Sequence, residues 1–209
     1  MTSRSRPLTA AGLKRAARGL AAADPDLGRV VARLGPPPLW DREPGFPTLV
    51  FIILEQQVSL ASARSAFAKL NTRLPSLNPA SFLTLDDRTL KEIGFSGQKG
   101  RYCRELACTV ADGGLRLEEL ASLPNEVVCT ELEQVVGIGP WTSCIYLLMV
   151  LRRPDIWPPG DLALAAAAQD LKGLDHRPPP QELEMIAEQW RPWRSVAARI
   201  LWHHYLNPE

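Results

Sequence analysis

The stretch VVGIGPWTSCIYLLM, residues 135–149, decides how this chain is to be read. Two glycines and a proline interrupt an otherwise apolar run, and a tryptophan follows the break directly. A helix arriving through Val135 must stop at a residue able to take positive φ, which Gly137 does without steric cost. Gly139 keeps the backbone bare, and Pro140 suits the first position of the next helix, where its missing N–H is no loss. The spacing therefore predicts a helix–hairpin–helix. Such a turn exposes backbone N–H groups near a helix N-terminus, an anion site suited to a DNA phosphate without reading base sequence. An ordinary αα-corner carries the same GxG spacing, so the rest of the chain has to separate the two.

Outward from the turn the pattern is helical on both sides. Thr9 caps AAGLKRAARGLAAA, which Asp24-Pro25 ends, and a short helix is expected over 26–34. GPPPLWDREPGFP (35–47) holds five prolines and two glycines and reads as a linker. TLVFIILEQQVSLASARSAFAKL (48–70) reads as two helices, the second capped by Ser59; FIIL alone would also suit a buried strand, but helical spacing continues past it. Further helices are expected over 86–93, 99–110 and 124–135. Residues 141–151 are apolar on every side and should be buried. RRPDIWPPGD (152–161) is a second break, followed by helices near 162–171 and 180–190 and a last one carrying RSVAARILWHHYL. Almost nothing alternates with period two. The expected fold is all-α with two helical domains: 48–152, containing the hairpin, and a second formed by both termini, 1–47 plus 153–209.

Composition bounds the function without choosing it. A hydrophobic content of 45% over 209 residues is ample for packed cores. No segment approaches the roughly 20 apolar residues that span a bilayer, and MTSRSRPLTA lacks the apolar core of a signal peptide, so a soluble, intracellular protein with no membrane partner is expected. Cys103, Cys108, Cys129 and Cys144 form no CxxC pair, and His176, His203 and His204 lie far from three of them. No metal site is indicated, and four reduced, mostly buried thiols are expected. A net charge of +1 neither demands nor excludes nucleic acid, because a neutral total can hide a basic face.

Several segments together separate the hairpin from an ordinary corner. LEQVVGIGPWTSCIYLLMVLRRPDIWPPGDLAL closely resembles the helix–hairpin–helix plus Gly/Pro/Asp-loop superfamily of DNA glycosylases, in which a loop after the hairpin delivers an essential aspartate. FIILEQQVS resembles the helix end and loop that the family pushes into the minor groove, and LKEIGFSGQKGRYCRELA a further family segment. WRPWRSVAARILW (190–202) resembles the C-terminal helix of the 3-methyladenine glycosylase branch, the AlkA type. The resemblance covers most of residues 24–202. The chain leaves no room for the extra N-terminal β domain of longer bacterial members, which bears on substrate range rather than chemistry.

The resemblance gives particular residues roles that their chemistry can bear. Asp161, after Pro158-Pro159-Gly160, reads first as a helix N-cap; a carboxylate there stays ionised and can stabilise an oxocarbenium ion at C1′ or orient water. Trp141 stands where lyase-type relatives hold an amine nucleophile, and an indole cannot attack C1′, so water is implied as the nucleophile. Trp141, Trp202 and, more weakly, Tyr146 are implied to line the base pocket, lying between the two domains with Asp161 at its mouth; an electron-rich ring attracts a cationic alkylated purine. Gln56 and Gln57 are implied at the DNA, with Gln57 filling the gap left by a flipped base. Gly137, Gly139 and Thr142 are implied at the phosphate, where a monovalent cation can bridge hairpin and DNA; no other cofactor is required. Ser96-Gly97-Gln98-Lys99 matches S-x-x-K, but neither SDN nor KTG occurs, so the match is read as chance. Lys99 and Arg101 could touch phosphates, but a solvated loop is the preferred reading; Arg191, Arg194 and Arg199 receive no role from sequence, with a structural one open for Arg194 within WRPWRS. The implied activity is hydrolysis of alkylated purines such as 3-methyladenine and 7-methylguanine from duplex DNA in base-excision repair by a monomer, in the nucleoid if bacterial. A uracil, hypoxanthine or mismatch glycosylase, or a non-catalytic DNA-binding protein, are the rival readings.

Overall fold

The computed structural model describes residues 6–208, so the first half of MTSRSRPLTA and the final residue lie outside the described part. In chain order the helices are α1 (Ala10–Ala23), α2 (Pro25–Leu34), α3 (Phe46–Glu55), α4 (Leu60–Arg73), α5 (Pro79–Leu83) and α6 (Asp87–Ile93). They continue as α7 (Gly97–Ala111), α8 (Asn125–Glu133), α9 (Pro140–Ile145), α10 (Leu162–Lys172), α11 (Pro180–Glu188) and α12 (Arg194–Leu206). A 3-10 turn covers Leu120–Ser122, and α9 runs on into a π-helical turn, Tyr146–Val150. Among the described residues there is no strand, and FIIL lies in α3; the fold is all-α. No helix among them is long and apolar enough to cross a membrane.

Local chemistry sets most of the boundaries. Thr9, Ser59, Asp86 and Ser96 each accept a backbone N–H of the helix they open. Asp24 ends α1 and opens α2, accepting from the N–H groups of Asp26 and Leu27. The sequence reading passed over α5, whose Asn78 and Ser81 form a reciprocal cap around a helix too short to show periodicity.

The described chain divides into two compact units, one spanning Arg42–Tyr146 and the other formed by the described residues up to Asp41 and from Leu147 onward. These limits lie about six residues ahead of the expected ones at 48 and 152, the first of them inside the proline-rich stretch 35–47. Pro47 lies in the first turn of α3 and does not close a linker, while Arg42 grips Glu55 of α3 through two bonds of 2.7 and 2.8 Å. Beyond Tyr146 the backbone already serves the second unit: the Leu148 carbonyl accepts from Arg199, and the Arg152 carbonyl accepts from the N–H of Leu8.

The core of the first unit is aliphatic and aromatic, with Leu49, Ile52, Ile53, Leu70, Phe82 and Leu106 fully enclosed. In the second unit Leu27, Leu164, Trp190 and Ile200 are buried around two polar anchors. Arg199 is one, its guanidinium donating to the carbonyls of Leu39 (2.8 Å), Ser195 (3.0 Å) and Leu148 (2.7 Å). Asp24 is the other, accepting from Trp190 Nε1 (2.9 Å) and Lys172 Nζ (3.1 Å). Burial alone would raise the Asp24 carboxyl, but the indole, the ammonium and the Leu27 N–H outweigh it and hold it below the ordinary value. The thiols differ from the expectation: Cys103 is buried, Cys129 and Cys144 are half-buried and Cys108 is exposed, and none of the four is in a disulfide.

Candidate active site and nucleic-acid interface

The turn between α8 and α9 has the geometry its sequence predicts. Gly137 takes φ +95°, and a Cβ there would fall inside the ring of Tyr102, which α7 places beneath the turn. Two independent constraints therefore demand glycine at this position. Gly139 is extended (φ −109°, ψ −175°), with open space where a side chain would go. The first bond of α9 runs from the Ser143 N–H to the Gly139 carbonyl (3.0 Å), so the glycine turn opens directly onto the first turn of α9. The Ser143 hydroxyl ties the two arms by donating to Glu133 Oε1 (2.6 Å). Thr142 is buried, and Trp141 is half-buried.

The segment after α3 is locked to this turn. Gln56 Nε2 donates to the Gly137 carbonyl (2.9 Å) and to Thr142 Oγ1 (3.0 Å), so Gln56 and Thr142 spend these groups inside the protein as a clamp on the hairpin. Lys99 Nζ donates to the Leu54 carbonyl (2.6 Å), closing the end of α3, and burial lowers its pKa. This differs from the solvated loop read from sequence; with Ser96 engaged as the α7 cap, the S-x-x-K match has no catalytic pairing. Gln57, next to the clamp, is exposed and takes φ +54°, a left-handed conformation uncommon for a residue with a Cβ. Its neighbours Val58 and Leu60 are exposed as well.

In the second unit, Asp161 is the N-cap of α10. Gly160 turns the chain at φ +68°, and Asp161 Oδ1 accepts from the Leu164 N–H at 2.9 Å. The residue is only 7% exposed, and Trp202 Nε1 on α12 donates to the same oxygen at 3.3 Å. A carboxylate so placed is anchored at the positive end of a helix. Tyr146 belongs to the first unit and is fully enclosed there, with burial pushing its phenol up to about 12; it is a core residue.

Sequence reasoning missed residues that hold these segments in place: Tyr102 beneath the hairpin, Lys99, Arg42 and Glu55 around α3, and Ser195 on the loop that leads to Asp161. Each acts on a partner distant in sequence, so its own neighbours carry no signal. The arginines left unassigned are structural, Arg191 and Arg194 pairing with Asp155 and Glu188.

Similarity to known proteins agrees with this geometry. The chain is 32% identical over 124 residues to YfjP of Bacillus subtilis (strain 168), covering 59% of this chain and 43% of that protein. It is 28% identical over 200 residues to the alkylbase DNA glycosidase-like protein mag2 of Schizosaccharomyces pombe, covering 90% of this chain and 92% of the relative. The chain thus spans under half of the first relative and nearly all of the second. Among solved structures it is similar to a 3-methyladenine DNA glycosylase of S. pombe in complex with abasic DNA, with a TM-score of 0.84 and 26% identity over 90% of this chain and 95% of that one. A family match running over residues 50–192 takes in the hairpin and Asp161 alike, and this chain belongs to the HhH-GPD superfamily of base excision DNA repair proteins.

Proposed function

We propose that this protein is a monofunctional DNA glycosylase that hydrolyses the N-glycosidic bond of alkylated purines in duplex DNA. The observation that carries the reading is Asp161: a buried carboxylate, held by two donors at a helix start, following a Pro-Pro-Gly turn. As the base leaves, C1′ and the ring oxygen develop positive charge, which a pre-positioned anion stabilises without reorganising. The same group orients or deprotonates the attacking water. Alkylation at N3 or N7 makes the base cationic and its glycosidic bond weak, so little acid assistance is needed.

The half-buried Trp141 offers such a base an electron-rich face and offers C1′ no amine. The N–H groups of the hairpin approach phosphate, giving affinity independent of sequence. Gln57, exposed beside a clamped turn, suits insertion into the duplex, which offsets a few kcal/mol of unstacking when a base flips. The names of the relatives support the substrate class.

The test is chromatography of bases released from methylated DNA, with borohydride trapping alongside. 3-Methyladenine and 7-methylguanine are expected, from strands that stay intact until alkali is added. Release of uracil or hypoxanthine instead would transfer the reading to another lesion class, and a borohydride-trapped adduct would overturn the water-nucleophile assignment.

A further inference from the structure

The Asp161 loop has little structure of its own and is laced to α12 along its length. RRPDIWPPGD contains three prolines and no helix, and it turns through positive φ at Arg152 and Gly160. Asp155 receives Arg194 Nε at 2.8 Å. The Ser195 N–H donates to the Pro154 carbonyl (3.1 Å), and the Ser195 hydroxyl accepts from the Ile156 N–H (2.9 Å) and donates to the Ile156 carbonyl (3.2 Å). The last stitch is Trp202 Nε1 to Asp161 Oδ1, at 3.3 Å.

We propose that Trp202 is a positioning residue: its indole N–H holds the Asp161 carboxylate in the orientation from which it acts, and Trp202 serves base release through Asp161 and not by stacking on the base. Trp202 lies as deep as Asp161 itself, 8% against 7% exposed. Its one polar atom is directed at the carboxylate oxygen that also receives the Leu164 N–H. A hydrogen bond to an ionised acceptor is among the stronger kinds, and two donors from different helices on one oxygen restrict how the carboxylate can turn. The inference rests on Asp161 being the catalytic carboxylate, and it reassigns the second tryptophan that sequence resemblance placed in the base pocket.

Two measurements test it. Trp202→Phe keeps an aromatic ring and removes the donor; single-turnover release of 7-methylguanine should slow about ten-fold or more, while affinity for DNA carrying a non-hydrolysable abasic analogue stays within about two-fold. In the second, the indole N–H proton of Trp202, assigned as the resonance missing from Trp202→Phe, should move upfield in Asp161→Asn, where the anionic acceptor is gone. The second readout needs no activity and leaves Trp202 in place. A Trp202→Phe enzyme within two-fold of the native rate, a loss confined to affinity, or an unmoved resonance would overturn the inference while native base release stands. A native protein that releases no methylated base would instead overturn the glycosylase reading, and this inference with it.

Discussion

Gly137→Ala puts the hairpin under a load whose size can be worked from the structure. At φ +95° a residue with a Cβ sits in left-handed territory at a cost of about 1–2 kcal/mol. The added methyl also falls inside the Tyr102 ring, whose far end is fixed by a 2.7 Å bond from Gln98 Nε2 to its hydroxyl. Displacing a packed ring costs a further ~1–3 kcal/mol. The sum, about 2–5 kcal/mol, is a large share of the roughly 5–15 kcal/mol by which a typical domain is stable. Urea unfolding of Gly137→Ala, Tyr102→Ala and the double variant separates the two parts. Once the ring is gone only the backbone part should remain, so the cycle should show a favourable coupling of about 1–3 kcal/mol. A Gly137→Ala protein destabilised by less than about 1 kcal/mol, or a cycle without coupling, would refute the packing argument.

Gly139→Val makes the complementary test: its backbone is extended and its Cβ meets nothing, so thermal stability should be unchanged while affinity for damaged and undamaged DNA falls alike in fluorescence anisotropy. Gln56→Ala removes two hydrogen bonds to the hairpin and should cost about 1–3 kcal/mol in denaturant unfolding, with DNA affinity falling independently of the lesion. Asp24→Asn removes the ion pair with Lys172 and should destabilise the protein by about 1–2 kcal/mol at pH 7. Because the folded-state carboxyl lies below its ordinary value of 3.8, the stabilisation is present above that pH and is lost as the pH falls through the folded value; native and variant unfolding curves should therefore converge below pH 3.8.

What the sequence made legible was local. A glycine obliged to take positive φ, a proline at a first helical position and an aspartate opening an apolar helix each state their geometry within a few residues, so the hairpin and Asp161 could be read directly. The unit boundary could not, because Pro47 reads as a linker residue until Arg42 is seen gripping Glu55, the last residue of α3. Lys99 was hidden for a similar reason: in a polar loop its charge looks solvated, and only folding brings the Leu54 carbonyl to it. Gln56 was placed at the DNA by resemblance, yet its amide turns inward to hold the surface that Gln57 presents. Trp202 carried an aromatic ring that suggested stacking, whereas the structure points its N–H at Asp161.

Asp161→Asn is the most direct measurement of the central claim, because asparagine keeps the shape and can still accept the Leu164 N–H while the charge disappears. In single-turnover assays on methylated duplex DNA, release of 3-methyladenine and 7-methylguanine should fall by about 100-fold or more, with affinity for lesion DNA largely retained. An Asp161→Asn enzyme that releases these bases at nearly the native rate would contradict the account.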